Sequence, residues 1–421
     1  MALSGRLLHG DQVSGRQSVL ILVENLPVPF DRRVWQEACT LRDAGNVVSV
    51  ICPTGKGCDK KFEDIDGVHV YRYNLPLEAA GAAGYALEYG VALFWSFLLS
   101  LRVLATRGFD VIHACNPPDL FFLIGGLYKL FGKKFVFDHH DLGPELYEAK
   151  FGRRDFLYRL LLKLEQWTFR TADVSIATNE SYRDIAIERG SMPAGRVFVV
   201  RSGPSLERLT IQPPDEKLKA GRRHLVGYVG VMGRQEGIDL LLHAVRIVVR
   251  CYAREDVHFG LVGGGTSLDE MQALAGDLGI ADYVTFTGRV PDDELLALLN
   301  SADVCVNPDR GCELNDRSTM NKVMEYMALG KPVVQFDLTE GRRSAGEASL
   351  YAEPNDAVDL AGKILDLLDD PRRREAMGRY GRARIERELE WRHQAPRLLA
   401  AYAALGGRVP RRRFAAREAQ P

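Results

Sequence analysis

The chain is 421 residues long, 46% hydrophobic and 26% charged, with 55 Lys+Arg against 56 Asp+Glu for a net charge of −1. At about 150 residues per domain, this length predicts two or three domains, each with its own core, and the composition excludes disorder, collagen and coiled coil as the main state. The balanced charge argues against a nucleic-acid partner, and seven cysteines without a CxxC pair predict free thiols in a reducing, cytoplasmic setting.

Short β-branched runs alternate with amphipathic stretches, the pattern of βαβ units around parallel sheets. Residues 18–24 read as a first strand, 34–44 as a helix closed by Gly45, and 47–52 as a second strand. The uncharged run 89–101 is too short for a span of about 20 residues. It predicts a buried or half-buried helix, or an interfacial helix over 85–105 that touches a membrane. Further strands are expected over 110–114, 134–137, 174–178 and 197–200.

Residues 203–222 are polar, carry Pro204, Pro213 and Pro214, and lack apolar periodicity, so they read as an interdomain linker. The alternation then restarts. Strands are predicted at 225–231, 258–262, 284–287, 304–307 and 332–336, with a helix over 237–250. The expected organisation is a first α/β domain over 18–202, the linker 203–222, a second over 223–383, and a closing helix over 384–405 that packs back towards the first. The Arg-rich tail after Gly407 reads as a solvated end that also suits an anionic lipid surface.

Three stretches can carry chemistry. Gly227, Gly230, Gly233 and Gly237 cluster where a strand gives way to a helix, a place where backbone amides hold a phosphate. Around Met320, Asn321 and Lys322 an amphipathic helix opens behind Ser318 or Thr319 as the natural N-cap. Lys322 in its first turn goes against the preference for acids there, which an anionic ligand would explain. Glu325 lies one turn on, placed to accept hydrogen bonds from hydroxyls of that ligand. The third stretch, Asp138-His139-His140-Asp141, follows a strand. Alternation sends the two histidines to opposite faces, so one of them projects into the crevice at the sheet edge and the pair does not chelate one metal.

Together with Asp110-Val-Ile-His113-Ala-Cys-Asn116-Pro117, Leu261-Val-Gly263-Gly264-Gly265, Val284-Thr-Phe-Thr-Gly288-Arg289-Val290 and Glu325-Tyr-Met-Ala-Leu-Gly330-Lys-Pro332, these stretches resemble family 4 of the retaining glycosyltransferases. The resemblance runs from Ser18 to Leu405. It implies the GT-B fold, two Rossmann-like doubly wound domains facing across a cleft, the first binding the acceptor and the second the nucleotide-sugar donor. It also implies that Glu325 binds the donor ribose, that Met320, Asn321 and Lys322 lie at the distal phosphate and sugar, and that Arg289 and Val290 flank the base. Gly230, Gly233, Arg234 and Gly264 line the donor site, and His140 reaches it from the opposite wall. No metal and no cofactor are expected, since cations and a helix dipole stabilise the departing diphosphate. The acceptor is expected to be a glycan or lipid-linked sugar of bacterial surface polysaccharide synthesis, at the inner face of the membrane.

The chain departs from the family at three places. Arg317 stands where a carboxylate eight residues before Glu325 is usual, and Glu236 stands for the usual Lys before Gly237. Leu26-Pro-Val-Pro-Phe-Asp31-Arg32-Arg33 replaces the Gly-Gly pair after the first strand. Arg317 and Lys322 are therefore the expected replacement cations, with His140, Arg317, Lys322 and Glu325 as the catalytic set. Two other readings stay open: a nucleotide-sugar epimerase of the same fold, and a catalytically inactive sugar- or lipid-binding scaffold. An oxidoreductase would need GxGxxG, which neither half contains.

Overall fold

The computed structural model describes residues 16–75 and 81–406; the Arg-rich tail lies outside them. The first half holds strands β1 (Ser18–Leu22), β2 (Val47–Pro53), β3 (Phe62–Ile65), β4 (Val68–Tyr73), β5 (Val111–Cys115), β6 (Lys134–His139), β7 (Val174–Ala177) and β8 (Val197–Val199). They form one sheet in the order β3-β4-β2-β1-β5-β6-β7-β8, parallel except for the β3–β4 hairpin. Its helices are α1 (Arg32–Asp43), α2 (Gly81–Thr106), α3 (Phe122–Lys129), α4 (Gly143–Phe151), α5 (Phe156–Thr171) and α6 (Glu180–Glu188).

The second half is a six-stranded parallel sheet of order β11-β10-β9-β12-β13-β14. Its strands are β9 (His224–Val229), β10 (Val257–Val262), β11 (Val284–Gly288), β12 (Val304–Asn307), β13 (Val333–Phe336) and β14 (Ser349–Ala352). Helices α7 (Ile238–Arg246), α8 (Leu268–Asp277), α9 (Asp292–Ser301), α10 (Glu313–Arg317), α11 (Asn321–Ala328), α12 (Thr339–Ala345), α13 (Ala357–Asp369) and α14 (Pro371–Arg384) surround it. Two doubly wound sheets facing across a cleft make the GT-B architecture. The central strands are buried on both faces, as parallel sheets require; β5 and β12 have no exposed residue.

α15 (Trp391–Gly406) crosses back and places Leu398, Ala401, Tyr402 and Leu405 in the core shared by α1 and the first sheet. The crossing is tight. A Cβ on Gly203 would lie 2.4 Å from Leu389 O, and Trp391 N donates to Pro204 O at 3.2 Å. The stretch 203–222 is no loose tether. Leu209 is buried in the second domain, Asn300 on α9 bonds Thr210 O and Gln212 N, and Ser301 Oγ accepts from Asp215 N.

The sequence reading passed over several elements. Asp66 and Gly67, with φ of 49° and 81°, make the two-residue turn that hairpins favour, but β3 is too short and too polar to stand out. α1 starts at Arg32 because the Asp31 carboxylate caps Val34 N at 3.1 Å. The helix is therefore two residues longer at its start than its apolar stripe, and Arg32 and Arg33 lie in its first turn. β6 runs to His139, which puts Asp138 on the strand itself. α2 extends well beyond the uncharged run on both sides.

Candidate active site

The C-terminal edges of the two sheets meet at a cavity of about 430 Å³. Asn25, Asp31, Arg33 and His140 line it from the first domain, and Glu236, Asp309, Met320 and Lys322 from the second.

On the first wall, strand alternation decides between the histidines. His139 is fully buried, stacked among Phe137, Phe169 and Tyr182 and 3.5 Å from Glu165. His140 reaches the cavity, its backbone N held by Asn116 Oδ1 at 2.6 Å. Its Nε2 lies 2.5 Å from Asp138 Oδ2 and 2.9 Å from Arg33 Nε. Behind it, Arg33 Nη2 is 3.0 Å from both Asp138 and Glu37, while Nη1 donates to Val200 O and Ser202 Oγ. Burial alone would raise the Asp138 carboxyl, but Arg33 and His140 hold it well below the usual range. Burial, reinforced by Asp138, pushes Glu37 well above its ordinary value and favours its neutral form. Glu37, His113, Cys115 and Asp138 bring four potential ligand atoms within 4.8 Å of one another. The Arg33 guanidinium lies among them and supplies the cation of that cluster. Sequence reasoning missed Arg33 as a site residue; its signal was the Asp31 cap, which starts the helix at Arg32 and sets Arg33 on its buried side while Arg32 stays exposed.

The second wall is built by close backbone approach. Gly263 has φ +132°, and a Cβ there would lie 1.8 Å from Gly230 O; a Cβ on Gly265 would lie 2.5 Å from Met232 O. Gly264 lies beneath the Arg289 stem, 3.9 Å from a built Cβ to Cγ, with Val290 packed on the core beside it. α11 begins behind Met320 with no side-chain cap, so its first amides are left for a ligand. Ser318 and Thr319 are not the cap: Ser318 bonds Leu314 O and Tyr182 OH, and Thr319 accepts from Asn179 across the cleft. The extended backbone there turns their hydroxyls away from the helix.

Charge is distributed otherwise than the sequence suggested. Lys322 Nζ is 2.8 Å from Asp309 Oδ1 and 5.1 Å from the Tyr228 ring centroid. Burial disfavours its charge, but Asp309 more than offsets this and raises its pKa. Burial likewise raises Asp309 and Glu236, and Glu236 accepts from Gly233 N at 3.0 Å, closing the glycine turn on itself. Arg317 does not line the cavity. It sits at the end of α10, paired with Glu313 at 2.9 Å, because the five-residue helix turns it outward. Gly233 and Arg234 line a neighbouring hollow with Arg310 instead. Glu325 is already engaged, 3.2 Å from Arg208 and 3.5 Å from Arg32, both of which also hold Asp292.

One buried acid beside the cavity gives a pH test. Glu24, next to Asn25 and 3% exposed, has its pKa raised to about 8 by burial and then by Glu88. Between its ordinary 4.5 and about 8, the folded chain holds a proton that the unfolded chain has lost. Stability therefore falls with rising pH, by about 1.4 kcal/mol per unit for one group. Glu24→Gln is expected to flatten that slope and raise the unfolding temperature at pH 8 but not at pH 4. Equal shifts at both pH values would refute the assignment.

Residues 31–203 match the family described as glycosyl transferase 4-like domain, and 223–370 that described as glycosyl transferases group 1. The MMP alpha-(1->4)-mannosyltransferase of Mycolicibacterium hassiacum is 32% identical over 327 residues, 74% of this chain and 75% of that protein. The 2-deoxystreptamine glucosyltransferase of Streptomyces kanamyceticus is 29% identical over 71% of this chain and 78% of its own. Among solved structures, sucrose-phosphate synthase from Thermosynechococcus elongatus superposes with a TM-score of 0.75 at 22% identity, over 93% of this chain and 99% of that one. Anabaena HepE in complex with UDP and glucose gives 0.68 at 15%, over 92% and 100%.

Proposed function

The chain belongs to the group 1, family 4-like glycosyltransferases, and from that premise we propose that it is a retaining, metal-independent hexosyltransferase. It moves a sugar from a nucleotide-sugar donor to a glycan or lipid-linked acceptor of surface polysaccharide, at the inner face of the cell membrane. The observation that carries this reading is the uncapped start of α11, with Met320, Asn321 and Lys322 facing His140 across one cavity. Free amides and a cation at a helix N-terminus suit the leaving diphosphate. HepE, which shares the fold, holds UDP and glucose. In this reading Glu325 takes the ribose hydroxyls, exchanging its Arg208 contact for them. Gly230, Gly264, Arg289 and Val290 frame the nucleotide, and His140, fixed by Asp138 and Arg33, meets the transferred sugar.

A second reading, an inactive binding scaffold, is favoured by one observation: Glu236 and Asp309 place two acids beside Lys322, the cation of the donor wall. A thermal-shift screen over nucleotide sugars, followed by product analysis, separates the two. A donor at a hundredfold excess over its Kd stabilises by about 2.7 kcal/mol, so a rise in unfolding temperature is expected. A rise without transfer to any offered glycan acceptor supports the scaffold, and conversion of the donor alone supports an epimerase. No rise with any nucleotide sugar refutes donor binding.

A further inference from the structure

Over Leu87–Thr106, α2 is long and apolar enough to cross a bilayer, with a mean hydropathy of 1.5. One stripe of it packs instead on the first domain. Ala92, Ser96, Ser100 and Val103 are fully buried against the first domain, and Ser100 Oγ is 2.9 Å from Tyr128 OH on α3. The helix is one layer of a folded domain, yet its outer side is bare: Leu87, Phe94, Trp95, Leu98 and Leu101 are 39–57% exposed.

The apolar surface does not stop at α2. On α3 and its exit, Leu123, Leu127, Leu130 and Phe131 are 40–80% exposed. Next to them, α5 presents Phe156, Leu160 and Trp167, with the Trp167 ring 6.0 Å from Phe122 of α3. Of the twenty exposed large hydrophobic side chains among the described residues, fourteen fall between Leu87 and Trp167. The opposite side of the same sheet is covered by α1 and α15, which contribute none. An apolar surface of this extent on one face marks an interaction site.

The charges choose the occupant. Arg102 on α2 and Arg159, Lys163 and Arg170 on α5 are exposed, whereas none of the three helices has an exposed acid: Glu88 is half-buried and Glu165 is buried against His139 and Arg189. We propose that α2, α3 and α5 form one docking face for an anionic phospholipid bilayer, with the helices lying in the interface plane. Apolar side chains enter the acyl boundary while arginine and lysine meet the headgroups. A second copy fits poorly, since an isologous contact would set like charges against each other. The proposal rests on the membrane-proximal part of the function above, and it is independent of sugar transfer.

Flotation of the full chain with vesicles, without any sugar, tests it. Co-flotation is expected with phosphatidylcholine/phosphatidylglycerol vesicles, weakening in high salt, and little with phosphatidylcholine alone. Phe94→Ser/Trp95→Ser on α2 and Leu130→Ser/Phe131→Ser beyond α3 should each lower vesicle partitioning at least about tenfold. Lys163→Glu/Arg170→Glu should lower it on anionic vesicles with an unchanged unfolding temperature, which keeps the test valid if an apolar pair impairs folding. Three results would overturn the proposal. The wild type fails to float, it sediments as a dimer that the α2 pair converts to monomer, or truncation after Gly406 alone abolishes flotation while the face variants retain it.

Discussion

Lys322→Met is expected to lower turnover by about a hundredfold or more, while Arg317→Met leaves it within about fivefold. Removing one preorganised donor from a site where negative charge develops costs on the order of 2.7–4 kcal/mol. Lys322 is the lysine or arginine of the second domain that lines the cavity. Arg317 is spent on an exposed pair with Glu313, and such pairs contribute at most about 1 kcal/mol. Lys322→Met also strands the Asp309 carboxylate, whose side chain is 2% exposed, so the variant should unfold at a lower temperature. Lys322→Met/Asp309→Asn separates the effects: folding recovers and turnover does not. Glu325→Gln should chiefly raise the KM for donor. Near-normal kcat in Lys322→Met would refute its place at the diphosphate and favour the scaffold.

Arg33→Met should be the most destabilising of these substitutions, by about 3–5 kcal/mol, the range for breaking a buried ion pair from one side. It leaves Asp138 and Glu37 buried around a lost cation. The sign of the pH dependence follows from Asp138, whose folded pKa lies below its ordinary 3.8. That carboxylate stabilises the fold above pH 3.8 and ceases to do so as the pH falls through its folded value, so the gap between wild type and variant should narrow in acid. Urea unfolding at pH 7 and pH 3 measures it. Arg33→Lys keeps the charge but not the planar fork that reaches Asp138, His140 and Ser202. It should recover stability more than turnover, and equal recovery of both would make Arg33 structural alone.

The sequence by itself determined the fold class, because strand and helix periods are local and the buried central strands are read from composition. It also marked Glu325 through its place on a helix, and one of His139 and His140 through the strand end, with the family resemblance pointing to His140. Gly263 was legible as part of a glycine run, but not as the residue whose backbone crosses Gly230.

The tertiary structure alone decided where charge is spent. Asp309 neutralises Lys322 from thirteen residues away, Arg208 and Arg32 converge on Glu325 from the linker and the other domain, and Asp138 of β6 joins Arg33 and Glu37 of α1 in one cluster. Ion pairs carry no sequence period, because Coulomb attraction depends on distance in space and on burial. The outer face of α2, α3 and α5 has the same origin. Of the three the sequence showed only α2, as a buried or half-buried helix, and only the packing of all three side by side on one sheet joins their exposed sides into a single surface.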